Sequence, residues 1–374
     1  MKGFKGLISL PLILGLLQNP GAVSAATAST RTRKTVRKRK PVQKKAAIPR
    51  VDPTDGDVTD GDDLTIRRAA VAALGSMNGS IVVAEPSTGR ILTIVNQKLA
   101  LKSGFIPCST IKLVTSLAAL TEHVVDRNTF IHTGRYVSYN LTTAIAHSNN
   151  QYFAILGNRL GFDRVTHYAS MLGLGEKAGL DIPGEQPGRI PEEPPKFGGV
   201  GLMTSFGEGF LMTPLELTAL ITAIVNNGTL YYLQYPRSQE EIDQLTPKVK
   251  RTLELDAKGI ADLKDGMRGA VDYGTARRAN YDPSEPILGK TGTCTDFPTS
   301  NHMGWFGSFN ETPYHQLVVV VMLAGSRAFS GPFAAGVAGT FYRKLSEERY
   351  FTADSSHGPK LPEIIVTQPT VTSH

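Results

Sequence analysis

The sequence predicts an α+β fold, an antiparallel five-stranded sheet covered by helices on both faces with a mainly helical lobe beside it. Three observations lead there. Strand candidates fall into two groups at opposite ends of the chain, the β-branched runs 80–84 and 90–95, then 287–293, 303–309 and 316–323. Mostly helical patterns separate them, so the first two strands must pair with the last three around a long insertion. The run 316–323 is a nearly unbroken series of Val, the pattern of a strand buried on both faces. A cleft between sheet and lobe follows, and ligand sites favour such junctions.

The elements can be justified in order along the 374 residues. Residues 1–25 read as an export signal: Lys2 and Lys5, an apolar run from Gly6 to Leu17, Pro20, then Val23-Ser24-Ala25. The apolar run is too short to span about 30 Å of hydrocarbon as a helix, although an uncleaved signal can remain as a membrane tether. Export makes the location periplasmic or otherwise extracytoplasmic. Residues 26–63 read as a linker, basic and then acidic. The first 50 residues hold 12 Lys or Arg and no acid, leaving 28 basic and 33 acidic residues in the rest. The cluster Arg31 to Lys45 has nine positive charges and no aromatic, which suits anionic lipid or an envelope polymer. A nucleic-acid partner is the competing reading, and export argues against it; a plain solvated linker is the third. Pro, Gly and Asp from Ile48 to Asp63 complete the linker, and the folded domain is expected over 64–350.

Within that domain Pro86-Ser87-Thr88-Gly89 turns the first two strands into a hairpin. Helical patterns occupy 110–121, 143–160, 215–226 and 257–271, and a final helix over 333–348 is placed to cover the sheet. Residues 351–374, rich in Ser, Thr and Pro toward the end, read as a flexible tail.

One ordered pair of motifs carries the chemistry. Ser109-Thr110-Ile111-Lys112 is the sole S-x-x-K of the chain, and Lys290-Thr291-Gly292 its sole K-T-G. Residues three apart share a helix face, so the Lys112 amine can reach the Ser109 hydroxyl and act as the base that a serine nucleophile needs. A serine here could instead merely cap the helix. A capping box, however, prefers Glu or Gln three residues on, and a cation is unfavourable at a helix N-terminus. To work at neutral pH the lysine pKa must fall from near 10.4 by about 3, a cost of about 4 kcal/mol. Burial, the helix dipole and a nearby cation such as Lys290 would supply it.

The K-T-G strand offers Lys290, Thr291 and Thr293 to a substrate carboxylate, with Gly292 permitting close backbone approach. The backbone N–H groups of Ser109 and Thr293 are candidates for an oxyanion hole. A third element, S-x-N, is degenerate: Ser76-Met77-Asn78, Ser138-Tyr139-Asn140, Ser148-Asn149-Asn150 and Ser308-Phe309-Asn310 all match. Ser148 and Asn150 are preferred because they lie in the helical insertion, where the cleft needs its second wall. Ser148 would pass a proton to the leaving amine and Asn150 would hold the substrate amide. His147 has no acid at triad spacing and is set aside. The eight His and two Cys show no metal-ligand spacing, and no Gly-rich phosphate loop follows a strand, so neither metal nor cofactor is expected. Cys108 precedes Ser109, and Cys294 lies two residues after Gly292. Should the motifs meet, so would the thiols, as a disulfide or as two free buried groups.

These residues resemble the penicillin-binding protein and serine β-lactamase superfamily, specifically the transpeptidase domain of penicillin-binding proteins. The likeness extends to the hairpin from Val82 to Leu92, the turn from Gly179 to Glu185, Ser205-Phe206-Gly207-Glu208-Gly209, Thr213-Pro214-Leu215-Glu216-Leu217, and Gly266-Met267-Arg268 with Gly274-Thr275-Ala276. It implies an acyl-serine D,D-transpeptidase or D,D-carboxypeptidase acting on peptidoglycan stem peptides that end in D-Ala-D-Ala, with Ser109 also acylated by β-lactams. In some serine β-lactamases a disulfide joins the positions of Cys108 and Cys294, which favours that pairing. Two departures stand out: the family usually has Gly where this chain has Cys108, and Phe where it has Ile111. The 39 residues from Ser109 to Ser148 are few for the family, which implies a trimmed cleft wall. A β-lactamase and a noncatalytic sensor of wall peptides or β-lactams are the alternative functions. Oligomeric state and protein partners are not legible in the sequence.

Overall fold

The strand order is β2-β1-β9-β8-β7, every neighbouring pair antiparallel, in a computed structural model that describes residues 50–296 and 300–352. Its strands are β1 Gly79–Ala84, β2 Ile91–Val95, β3 Ile131–Gly134, β4 Val137–Tyr139, β5 Thr229–Tyr231, β6 Val249–Thr252, β7 Ile287–Asp296, β8 Asn301–Asn310 and β9 Val318–Ser326. The helices are α1 Leu64–Leu74, α2 Gln97–Ala100, α3 Lys112–Thr121, α4 Leu141–Ala146, α5 Asn150–Leu160, α6 Phe162–Met171, α7 Gly199–Phe206, α8 Pro214–Val225, α9 Gln239–Asp243, α10 Ala257–Asp272 and α11 Gly331–Glu347.

The early hairpin docks on the late strands through β1 and β9, in register from Gly79 opposite Leu323 to Ala84 opposite Val318. The valine run explains how one strand serves two cores. Val318, Val320 and Met322 of β9 face a cluster that includes α3 and α8, whereas Val319, Val321 and Leu323 face α1 and α11. All six are fully buried. Period-two alternation with apolar residues on both sides is what a central strand between two helical layers requires.

Helix starts obey local chemistry. Thr213 accepts from the Glu216 amide while the Glu216 carboxylate accepts from Thr213 N, a capping box, and Pro214 opens α8. Ser330 caps α11. The span 143–160, expected as one helix, is two. Asn140 caps α4, Asn149 caps α5 through Tyr152 N, and between them Ser148 takes a left-handed φ of 53°, which no continuous helix accommodates. The expected helix from 110 begins instead with a 3₁₀ turn, Cys108–Ile111, that runs into α3.

Residues 50–63, expected as linker, pack on the domain. Val51 N donates to Ser76 O, and the Asp57 carboxylate accepts from the amides of Asn96 and Gln97. Asp62 accepts from the hydroxyls of Thr93 and Tyr235, and Arg67 pairs with both acids at 2.9 and 3.0 Å. The acids that make this stretch look like solvent-loving linker are spent on buried donors. The proposed signal, the basic cluster and the C-terminal tail beyond 352 lie outside the described residues, among which no helix is long and apolar enough to cross a membrane.

Candidate active site

The turn that carries Ser109 is held in an unusual shape. Cys108 adopts a left-handed φ of 53°, a region that suits glycine better than an L side chain. Thr110 Oγ1 donates to Pro107 O at 2.6 Å, and the Trp305 indole N–H donates to Ile106 O at 3.1 Å, so strand β8 fixes the approach to the turn. Ser109 is 8% exposed, while Lys112, the first residue of α3, is fully buried.

Lys112 Nζ is the hub. It lies 3.0 Å from Ser109 Oγ, 2.6 Å from Asn150 Oδ1, 2.8 Å from Ser148 O and 3.1 Å from Ser148 Oγ. Lys290 Nζ donates to Ser148 Oγ at 2.8 Å and to Thr291 O at 2.9 Å. Ser148 thus stands between two amines, and its left-handed backbone turns both its carbonyl and its hydroxyl toward Lys112. Among the described residues, neither amine has a carboxylate as a hydrogen-bond partner.

Two buried cations with no counterion cannot both be comfortable. Burial, and then the charge of Lys290, hold the Lys112 pKa well below its ordinary value; burial alone brings Lys290 down to about 7. A neutral Lys112 amine has two N–H bonds and one lone pair. Ser148 O and Asn150 Oδ1 only accept and can take the two N–H bonds, which leaves the lone pair for a hydroxyl proton. The arrangement can therefore deprotonate Ser109 and carry a proton on to Ser148.

The K-T-G strand closes the other side. Gly292 is needed for a different approach than the one expected: a Cβ there would lie 3.0 Å from Pro107 O and 3.2 Å from Thr110 Cγ2, so its bareness lets β7 lie against the nucleophile turn itself. Thr293 is exposed, and its Oγ1 accepts from Gly331 N at 2.7 Å, leaving its own proton to donate. Thr291 Oγ1 lies 2.6 Å from Thr275 Oγ1. Cys108 and Cys294 are joined by a disulfide, so the backbones of residues 108 and 294 are tied 5.5 Å apart at Cα.

Sequence reasoning on the site missed three contributors. Thr275 is one; its amide donates to Ala146 O at 3.1 Å, linking the α4 wall to β7. Its signal was present in Gly274-Thr275, since a Cβ on Gly274 would stand 2.1 Å from Ala146 O. The Ser205 carbonyl, 3.5 Å from Ser109 Oγ, and the Phe153 ring, 5.4 Å from Lys112 Nζ, are the others. The remaining S-x-N matches serve architecture: Asn140 caps α4, Ser138 bonds His132, Ser308 donates to Val319 O, and Asn78 donates to Ala324 O. His147 packs against the rings of Tyr139 and Tyr273. Among the described residues no group of three or more His, Cys, Asp or Glu is arranged to hold a metal.

Known proteins are similar to this chain in sequence and in fold. Stage V sporulation protein D of Bacillus subtilis is 30% identical over 287 residues, 67% of this chain and 43% of that protein. Peptidoglycan D,D-transpeptidase MrdA of Acinetobacter baumannii is 25% identical over 305 residues, 65% of this chain and 45% of the relative. The chain thus spans less than half the length of these two curated relatives. Among solved structures, Pseudomonas aeruginosa PBP2 in complex with WCK 5153 superposes with a TM-score of 0.66 at 22% identity, covering 81% of each chain. The transpeptidase domain of Burkholderia pseudomallei penicillin-binding protein 3 gives 0.66 at 19% identity, covering 81% of this chain and 98% of that one. The family profile described as the penicillin binding protein transpeptidase domain matches residues 79–346, from the first sheet strand to the last turn of α11. The chain belongs to the penicillin-binding protein transpeptidase domain family.

Proposed function

We propose that this protein is an acyl-serine D,D-transpeptidase or D,D-carboxypeptidase acting on peptidoglycan stem peptides that end in D-Ala-D-Ala, and that β-lactams acylate the same serine. The observation that carries the proposal is the unbroken line of contacts from Ser109 through Lys112 and Ser148 to Lys290, at 3.0, 3.1 and 2.8 Å. Ser109 Oγ attacks the carbonyl carbon of the penultimate D-alanine as its proton passes to neutral Lys112. The amides of Ser109 and Thr293 bind the oxyanion. The carbon–nitrogen bond then breaks, and the leaving amine takes a proton from the Ser148 hydroxyl, which Lys112 resupplies. An amine from a second stem peptide, or water, releases the acyl group and restores the serine. Thr291, Thr293 and Lys290 receive the substrate carboxylate, and Asn150 the peptide amide.

This role is exercised outside the cytoplasm. Residues 1–25 direct export, with or without cleavage, and the Arg31 to Lys45 cluster holds the protein to anionic lipid or an envelope polymer.

Fluorescent penicillin tests the assignment. Labelling is expected in the unaltered protein and absent in Ser109→Ala; labelling that survives that substitution would refute the nucleophile. Sustained turnover of a chromogenic cephalosporin would favour a β-lactamase, and absence of adducts with several β-lactams a noncatalytic sensor. Mass spectrometry of products from muropeptides, with and without an acceptor amine, separates transpeptidase from carboxypeptidase.

A further inference from the structure

We infer that the Cys108–Cys294 disulfide is a redox-sensitive clamp on this site, and that its reduction slows acylation of Ser109 without unfolding the protein. The inference rests on the acyl-serine reading above and adds a mode of control to it.

The cross-link is placed where a small movement matters most. Its two ends flank the paired amides: Cys108 immediately precedes Ser109 and Cys294 immediately follows Thr293, although 186 residues separate them in sequence. A bond between them fixes the spacing of two N–H groups that must converge on one oxygen atom. Other ties in this region are noncovalent, among them the Trp305 bond to Ile106 O and the close approach of bare Gly292 to the Pro107 carbonyl.

Cys108 supplies the reason for movement. Its left-handed φ of 53° is one that an L residue leaves when nothing holds it there. The bond to Cys294 does hold it. Once the bond is cut, rotation of residue 108 toward ordinary backbone angles swings the amide and hydroxyl of Ser109, the next residue. Misplacement of a reacting group by about 1 Å costs about a hundredfold in rate.

The clamp can be reached. Cys108 is fully buried, but Cys294 is only partly so and adjoins exposed Thr293. A dithiol reductant would attack the Cys294 sulfur as thiolate, breaking the S–S bond and releasing Cys108 as a thiolate that takes up a proton. The second thiol of the reagent then displaces Cys294. Two electrons and two protons pass to the protein, and the reagent ends as a disulfide.

The experiment compares labelling by fluorescent penicillin in oxidised protein, in protein treated with millimolar dithiothreitol, and after reoxidation. Thiol alkylation with mass spectrometry counts the cysteines, and circular dichroism follows the fold. Reduction is expected to slow labelling at least tenfold, reversibly, with the fold retained. Two variants lacking the bond separate clamp from staple. C108A/C294A, with a side chain still at the strained position, should label as slowly as the reduced protein. C108G/C294A, in which glycine adopts the left-handed angle freely, should label faster than C108A/C294A, and neither variant should respond to the reductant. Unchanged labelling with both thiols alkylated would overturn the clamp, as would a disulfide that resists the dithiol in folded protein or a rate loss that merely tracks unfolding. No labelling of the oxidised protein would overturn the acyl-serine reading, and the clamp with it.

Discussion

Lys112 and Lys290 place two amines side by side among hydroxyl and carbonyl oxygens, and this sets how pH acts on the protein. Only neutral Lys112 can take the Ser109 proton, so acylation should rise with pH through its lowered pKa. Lys290→Gln removes the neighbouring charge, the second cause of that lowering, so the rising limb should move to higher pH. Rates of penicillin acylation measured against pH check both, and a limb that stays in place would detach Lys290 from the Lys112 equilibrium. Lys112→Ala should lower the rate by about 10²–10⁴ with the fold retained. Stability carries the same signature. Unfolded lysine keeps its proton up to about 10.5, whereas folded Lys290 loses it near 7. Between those values the unfolded chain binds more protons, so stability should rise with pH across the window, and Lys290→Met should flatten the rise in Tm. Ser109 and Lys112 were legible because their relation is local, one helical turn. Thr275 was not, because its contact with Thr291 is made by folding and its spacing of 16 residues belongs to no local pattern.

Elements position these residues by close approach. Asn150 opens α5 and Ser205 sits near the end of α7, and the two helices meet at Gly157, where a Cβ would fall 2.0 Å from Thr204 Oγ1. That hydroxyl already lies 2.9 Å from both Phe153 O and Val200 O, which share its one proton. Gly157→Ala must therefore push α5 from α7, with an expected loss of about 1–3 kcal/mol and slower acylation. A variant with unchanged Tm and unchanged labelling would show that the helices yield freely. The segment between α6 and α7 hangs on Glu216 of α8. Its carboxylate accepts from Gly175 N, Gly188 N and Thr213 N at 2.8, 2.9 and 2.7 Å. Glu216→Gln turns one acceptor into a donor opposite an N–H, at an expected cost of about 1–3 kcal/mol. Burial pushes the Glu216 pKa up from 4.5 to about 7. The stability linked to its protonation is thus present below 4.5 and lost as pH rises through 7, a fall in Tm that the Gln variant should lack. The α4–α5 break escaped sequence reading because helical patterns continue on both sides of Ser148. Helix α7 escaped it because Gly199 and Gly201 argue against a helix unless tertiary packing overrides propensity.

At the scale of the molecule, the sheet was legible because a strand with apolar residues on both faces can sit only between two layers, and β9 does. The start of the domain was not, since Asp57 and Asp62 look like solvated linker until their partners arrive from far along the chain. Arg67 of α1 pairs with both, and both carboxylates are essentially inaccessible. Through these acids it ties residues 50–63 to β2, and through the Tyr235 hydroxyl on Asp62 to the segment after β5. A buried pair adds little over apolar packing, but breaking it by removing one partner leaves uncompensated charge. Arg67→Met should therefore cost about 3–5 kcal/mol, a Tm lowered on the order of ten degrees. The loss should shrink on acidification, because Asp62, which burial already holds above the usual carboxylate range, then takes up a proton and no longer needs the guanidinium. Acylation of the folded fraction should not change, since α1 packs on the face of the sheet opposite α3. Thermal melts and penicillin labelling of this variant at neutral and acidic pH decide the matter: a melting temperature that does not respond to loss of the arginine would mean that residues 50–63 rest on the domain without holding it.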